Sequence, residues 1–229
     1  MSAEDSREFW DSAARENAAW YVATGFTSES SDFFAQGTRE TDTFLQHFGV
    51  DVTPEDTVLE IGSGVGRMTR RLAERGKQVI GTDVSAEMLS RCADNLADLT
   101  NLNLQVVPGD GSLPDVPSAS IDVVFSYIVM QHVPTAEGQL LYMKESARVL
   151  RPGGRLLVQF RSNSAQARAL DWLGHTRHII SGRSTLSRSW RGERVSHERI
   201  CDVLRAGGLA DVRVAPYGPR HVWVVGTKA

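Results

Sequence analysis

From residue 58 onward, short apolar runs alternate with longer segments whose apolar residues recur at three-to-four spacing. The runs at 58–61, 78–82, 102–107, 121–128 and 155–160 end in or near glycine, serine or aspartate, as buried strands do. Between them, 67–75, 85–96 and 135–150 read as helices. Ser85 stands as an N-cap, Gly76 closes the first helix, and Arg151-Pro152-Gly153-Gly154 stops the last. Strands that alternate with helices of this length predict crossover units and a parallel sheet. The run IDVVFSYIV at 121–129 is nearly continuous, as a central strand covered on both faces should be; Asp122 and Ser126 are its polar interruptions. The end of the chain departs from this rhythm. A helix over 196–205 is followed by strands at 211–217 and 221–226, with only Gly218-Pro219-Arg220 between them. Three residues cannot make a parallel crossover, so this pair must be a hairpin. The expected fold class is α/β: a doubly wound, mostly parallel seven-stranded sheet with a C-terminal antiparallel hairpin and helices on both faces.

Residues 1–56 are more polar and read as a helical N-terminal cap ahead of the 57–229 domain. Trp10, Ala14, Asn17, Ala18 and Tyr21 recur at helical spacing and predict one amphipathic helix. This segment holds twelve acidic and three basic residues. Over all 229 residues the net charge is −3, which gives no basic footprint for nucleic acid. No apolar run approaches the roughly 20 residues of a bilayer span, and the N-terminus lacks a signal-peptide core. A cytoplasmic protein without membrane contact is expected. The two cysteines, Cys92 and Cys201, match no zinc or redox spacing, so no metal is expected.

The stretch VLEIGSGVGR, residues 58–67, carries most of the chemistry. Gly62, Gly64 and Gly66 follow the first strand directly, where a doubly wound sheet delivers backbone to its ligand crevice. The dinucleotide fingerprint fails here because Arg67 stands at the place of its third small residue. The phosphate-loop pattern fails because no Lys-Ser/Thr follows. Three acids then appear at successive strand ends: Glu60, Asp83 and Asp110. An acid at the position of Asp83 can accept both hydroxyls of a ribose. A crevice lined by three acids suits a cationic nucleoside better than a pyrophosphate.

With GTDVS, PGD and LRPGG in order behind it, VLEIGSGVGR resembles the class I S-adenosylmethionine-dependent methyltransferases over residues 58–229. The resemblance implies S-adenosyl-L-methionine as cofactor. It implies that Gly62, Ser63, Gly64 and Gly66 approach the methionine moiety and that Glu60 organises its ammonium end. Asp83 would bind the ribose, Val84 and Met88 would pack on the adenine, and Asp110 with Gly111 would hold the adenine amino group. Ser126 would lie beside the transferable methyl.

On the acceptor side, His132 follows the fourth strand and is the candidate general base, with Gln131 a hydrogen-bond donor beside it. Residues 161–194 form an expected basic lid, with seven arginines against Asp171 and Glu193. Arg161, His175, Arg177 and His178, with Tyr21 from the cap, are candidate substrate residues. Two readings of the lid stand side by side: arginines that hold an anionic acceptor, or a basic surface that docks on the acidic N-terminal segment. The expected function is methyl transfer to an oxygen, nitrogen or carbon of a small molecule, such as an anionic natural-product intermediate. Transfer to RNA or protein, and a non-catalytic S-adenosylmethionine-binding regulator, are the alternatives.

Overall fold

The computed structural model describes residues 2–23, 25–170, 172 and 192–229. Two helices come first, α1 at Ala3–Val22 and α2 at Ser31–Phe48. Ser2 and Asp5 form a capping box on α1; Ser30 caps α2, which Gly49 ends in the left-handed region. There follow β1 (Thr57–Ile61), α3 (Thr69–Arg75), β2 (Gln78–Asp83), α4 (Ala86–Asn95), β3 (Leu102–Val106), β4 (Ile121–Ser126), α5 (Ala136–Val149), β5 (Leu150–Arg161), α6 (His197–Ala206), β6 (Leu209–Tyr217) and β7 (His221–Lys228).

The seven strands form one sheet in the order β3-β2-β1-β4-β5-β7-β6. β3 to β5 pair in parallel, and β7 runs antiparallel between β5 and β6. The expected mixed sheet with its closing hairpin is therefore the observed one. Every residue of β4 is buried. Both of its polar interruptions tie β4 to β1: Asp122 accepts the Thr57 amide at 2.8 Å, and the Ser126 hydroxyl donates to the Ile61 carbonyl at 2.9 Å. One apolar layer packs Leu59, Val124 and Leu156 under Met143 of α5 and Leu204 of α6. The other packs Val58, Phe125 and Trp223 under Phe44 of α2 and Leu72 of α3. Both faces of a parallel sheet must be covered in this way.

Three local details differ from the sequence pattern. The first helix of the domain begins at Thr69, not Arg67, because the chain is still turning through Gly66 at φ +92°. The Arg-Pro-Gly-Gly stretch does not merely stop α5. It lies inside β5 as the irregularity that shifts the β4 register from Leu150 to Arg155. The amphipathic helix breaks at Asn17, whose backbone is extended (φ −167°, ψ 86°) and whose side-chain oxygen accepts the Trp20 amide at 3.0 Å. Asn17 thus caps a new helical turn instead of standing on a continuous face.

This topology gathers the C-terminal ends of β1, β2 and β4 beside the switch in strand order, where such sheets place ligands. Helix α1 lies across that edge. The Ser85 hydroxyl, which caps α4 through the Met88 amide, also donates to Asp11 at 2.5 Å. No helix among the described residues is long and apolar enough to cross a membrane.

Candidate active site

The glycine turn is held from two sides. The Gly62 and Ser63 amides donate to the Thr82 carbonyl at 2.7 and 2.9 Å. A methyl group at Gly62 would overlap Val129 Cγ2, and Gly62 itself sits at φ +78°. Only glycine fits that combination of left-handed backbone and close approach. Asp83 completes the turn: its two oxygens accept the Gly64 amide at 2.9 Å and the Ser85 amide at 3.0 Å. Burial raises the Asp83 pKa, against the pull of these amides.

Glu60 lies deeper, within β1, and is buried. The Thr69 hydroxyl donates to it at 2.6 Å. Burial pushes its pKa up to about 8, and the Asp83 charge adds to this; the Thr69 hydrogen bond and Arg67 oppose it.

Glu60, Gly62, Ser63, Gly64, Asp83, Val84, Met88, Tyr21 and His132 all line one open cavity of about 850 Å³. The structure thus brings together residues that the sequence singled out on separate strands, turns and helices. Ser63 Oγ is buried there without a hydrogen-bond partner among the described residues. Four other predicted cofactor positions stand outside the lining. Gly66 allows close packing on Leu96 and Cys92 of α4. Gly111 leaves room for the Gly138 carbonyl of α5, which would overlap any side chain there. Ser126 commits its hydroxyl to β1. Asp110 is exposed and accepts the Ser112 hydroxyl and amide at 2.6 and 2.9 Å, which lower its pKa.

A second open cavity, about 1090 Å³, adjoins the first. Tyr21, Val22, Arg67, Tyr127, Ile128 and His132 line both and so form the wall between them. Gln131, Glu40, Arg161, Arg220 and His221 line the second alone. Arg161 and His221 are directly paired across the β5–β7 ladder. His132 is buried, with its ring edge-on to Trp10 at 5.3 Å and its Nε2 3.0 Å from the Gln131 amide nitrogen. Ile128 holds φ +58°, a costly conformation for a β-branched residue, and its amide donates to the buried Gln159 side chain at 3.1 Å. The Tyr21 hydroxyl donates to Glu16 at 2.8 Å; burial first, then Glu16, raises its pKa. His175, Arg177 and His178 lie outside the described residues. No group of acids, histidines and cysteines among the described residues is arranged to hold a metal ion.

Sequence reasoning misses Tyr127, Ile128 and Val129, which continue the apolar run of a strand, and it misses Tyr142 as a lining residue. It also misses Arg220 and His221. The hairpin register, which puts His221 beside Arg161, is the signal that could have found them. Arg67 enters the sequence pattern only as the residue that breaks the dinucleotide fingerprint.

The comparisons with known proteins agree with this fold. A methyltransferase-domain family model matches residues 59–158. A demethylmenaquinone methyltransferase of Tropheryma whipplei is 34% identical over 107 residues, covering 47% of this chain and 42% of that protein. A probable ribosomal RNA small subunit methyltransferase A of Methanosarcina acetivorans is 31% identical over 137 residues, covering 49% of each. The chain therefore spans less than half the length of these curated relatives. Among solved structures, magnesium protoporphyrin IX methyltransferase of Synechocystis, with bound S-adenosylhomocysteine, superposes with TM-score 0.66 at 17% identity, covering 97% of this chain and 98% of that one. At that identity the likeness speaks to the fold.

Proposed function

We propose that this chain is a class I S-adenosylmethionine-dependent methyltransferase, a reading supported by the methyltransferase-domain match over residues 59–158 and by the fold, and that it transfers a methyl group to an oxygen, nitrogen or carbon of a small anionic molecule. The observation that carries the proposal is the shared wall: two cavities meet at Tyr127, Ile128 and His132, so a donor in one faces an acceptor in the other.

The residues of the first cavity fit the cofactor. Ser63 Oγ is buried with no partner among the described residues, and Glu60 and Asp83 supply acidity on either side of the glycine turn. When bound, S-adenosylmethionine supplies a methyl group already activated on a sulfonium. The chain's own residues then orient the reactants and manage protons. Asp83 is fixed by two amides and can present its remaining lone pairs to the ribose hydroxyls. Val84, Met88 and Tyr142 offer apolar surface to the base. His132, wedged against Trp10, is positioned to take the acceptor's proton when the nucleophile carries one. Helix α1, tied to Ser85 through Asp11, covers the crevice and excludes water.

The second cavity supports the acceptor class. Arg161 and Arg220 form a cationic margin, with His221 beside Arg161, that the first cavity, with its buried acids, does not share. A carboxylate or phosphate seated there would direct the rest of a small molecule toward His132. The relatives' names span a quinone precursor and ribosomal RNA, so acceptor class is the point to test. We expect S-adenosylhomocysteine release with a panel of small carboxylates and phosphates, with acceptor KM raised about tenfold or more in Arg220→Ala. Turnover on RNA, or on neutral analogues with equal KM, would overturn the anionic small-molecule reading.

A further inference from the structure

Arg67 is the buried arginine of the site, and two of its three guanidinium nitrogens are unpartnered among the described residues. Its side chain is 4% exposed. One nitrogen, Nη2, donates to Glu40 at 2.6 Å, while Nε and Nη1 are buried with no hydrogen-bond acceptor among the described residues. Buried N–H groups of a charged side chain are costly to leave unmade, and such an orphan calls for an explanation. Position is not accidental here. Helix α2 holds Arg67 with one face: Phe33 places its ring 5.7 Å from the guanidinium carbon, Gly37 leaves the space that Arg67 Cγ occupies, and Glu40 supplies the ion pair. These three lie at helical spacing, so α2 is shaped to present this arginine to the wall of both cavities.

The same cavity holds the complementary group. Glu60 is buried, hydrogen-bonded by Thr69, and close enough to Arg67 for their charges to be felt. An isolated anion on Arg67 would meet the repulsion of Glu60, and an isolated cation on Glu60 would meet that of Arg67. A ligand end that carries an ammonium and a carboxylate together satisfies both. Resting on the cofactor reading above and on the ammonium role that the resemblance already gives Glu60, we propose that Arg67 holds the carboxylate of the cofactor's amino-acid end, so that the two residues together form a zwitterion clamp. The role of α2 is then to orient Arg67 through Glu40, making it part of the cofactor site although it contributes no residue to the first cavity.

Calorimetric titration with three probes tests this: S-adenosylhomocysteine, its decarboxylated analogue, and 5′-methylthioadenosine, which lacks the amino-acid end. The wild-type protein should bind S-adenosylhomocysteine at least about tenfold more tightly than the decarboxylated analogue. Arg67→Met should shrink that ratio to about twofold or less while leaving methylthioadenosine affinity unchanged, and Arg67→Lys should fall between. If the methionine variant does not fold, Arg67→Lys carries the test, and a ratio equal to the wild type's there overturns the clamp. Equal wild-type affinity for the first two probes, with methylthioadenosine bound, overturns the clamp and leaves the cofactor reading standing. Failure of all three to bind overturns the cofactor reading and the clamp with it. A ratio preserved in Arg67→Met, with acceptor KM raised instead, overturns the clamp by assigning Arg67 to the acceptor's anion.

Discussion

The Thr69 hydroxyl reaches Glu60 across 2.6 Å, inside the protein and at the root of the glycine turn. A hydroxyl can donate to either form of a carboxyl, so this contact does not force the charge on. Burial dominates and holds the pKa at about 8 against an ordinary 4.5. An acid whose pKa is raised by folding stabilises the fold in its protonated form. That contribution is complete below about 4.5 and is lost as pH rises through about 8. Ligand-free protein should therefore lose several degrees of Tm between about pH 5 and pH 8, and Glu60→Gln, which stays neutral, should flatten the slope. A ligand ammonium facing Glu60 would pull its pKa back down. S-adenosylhomocysteine binding near neutral pH should then release protons, seen as a dependence of binding enthalpy on buffer ionisation. Proton-neutral binding, with Tm equally sloped in both proteins, would contradict this.

Gly62 faces two separate penalties if replaced. Its φ of +78° disfavours any side chain, and a methyl there would overlap Val129 Cγ2. Gly62→Ala should cost about 1–3 kcal/mol from the backbone alone, with more from the overlap. Adding Val129→Ala should recover the overlap and not the backbone cost. Denaturant unfolding of the single and double variants measures both; full recovery in the double variant would show that φ carries no penalty.

His132 is buried against Trp10 on the wall between the cavities. As general base it should contribute about 10²-fold or more to kcat. His132→Ala should lose that factor together with the acidic limb of the kcat/KM profile, while S-adenosylhomocysteine affinity stays within about threefold. A variant that keeps both its rate and its pH limb would show that the acceptor's nucleophile needs no base.

Periodicity made the sheet legible, because strands covered on both faces must be apolar throughout and three residues between β6 and β7 permit only a hairpin. Residue type made the acids at β1 and β2 legible, since Glu60 and Asp83 sit where strand ends meet the turn. Asp110 shows where that reasoning stops. It follows its strand as the others do, yet its carboxylate turns back onto Ser112, a choice set by a local hydrogen bond two residues away. Arg67 fails in the opposite sense. What places it in the site is α2, packed through Phe33, Gly37 and Glu40 from a segment some 30 residues earlier, and pairing across that distance leaves no periodic trace. Asn17 escapes the helical pattern because its side chain caps a turn in the middle of an otherwise regular run.

Asp83 carries the central claim, because it both closes the glycine turn and faces the cavity. Hydrogen bonds to a charged acceptor contribute about 1.5–3 kcal/mol each, so losing two to a ribose should weaken binding by roughly 10²-fold or more. Titration calorimetry of S-adenosylhomocysteine on the wild-type protein and on Asp83→Ala, each first shown to unfold cooperatively, measures this directly. The predicted result is one bound molecule per wild-type chain and affinity at least about 10²-fold weaker in the variant. Equal affinity in the two proteins would contradict the assignment of this cavity to the cofactor.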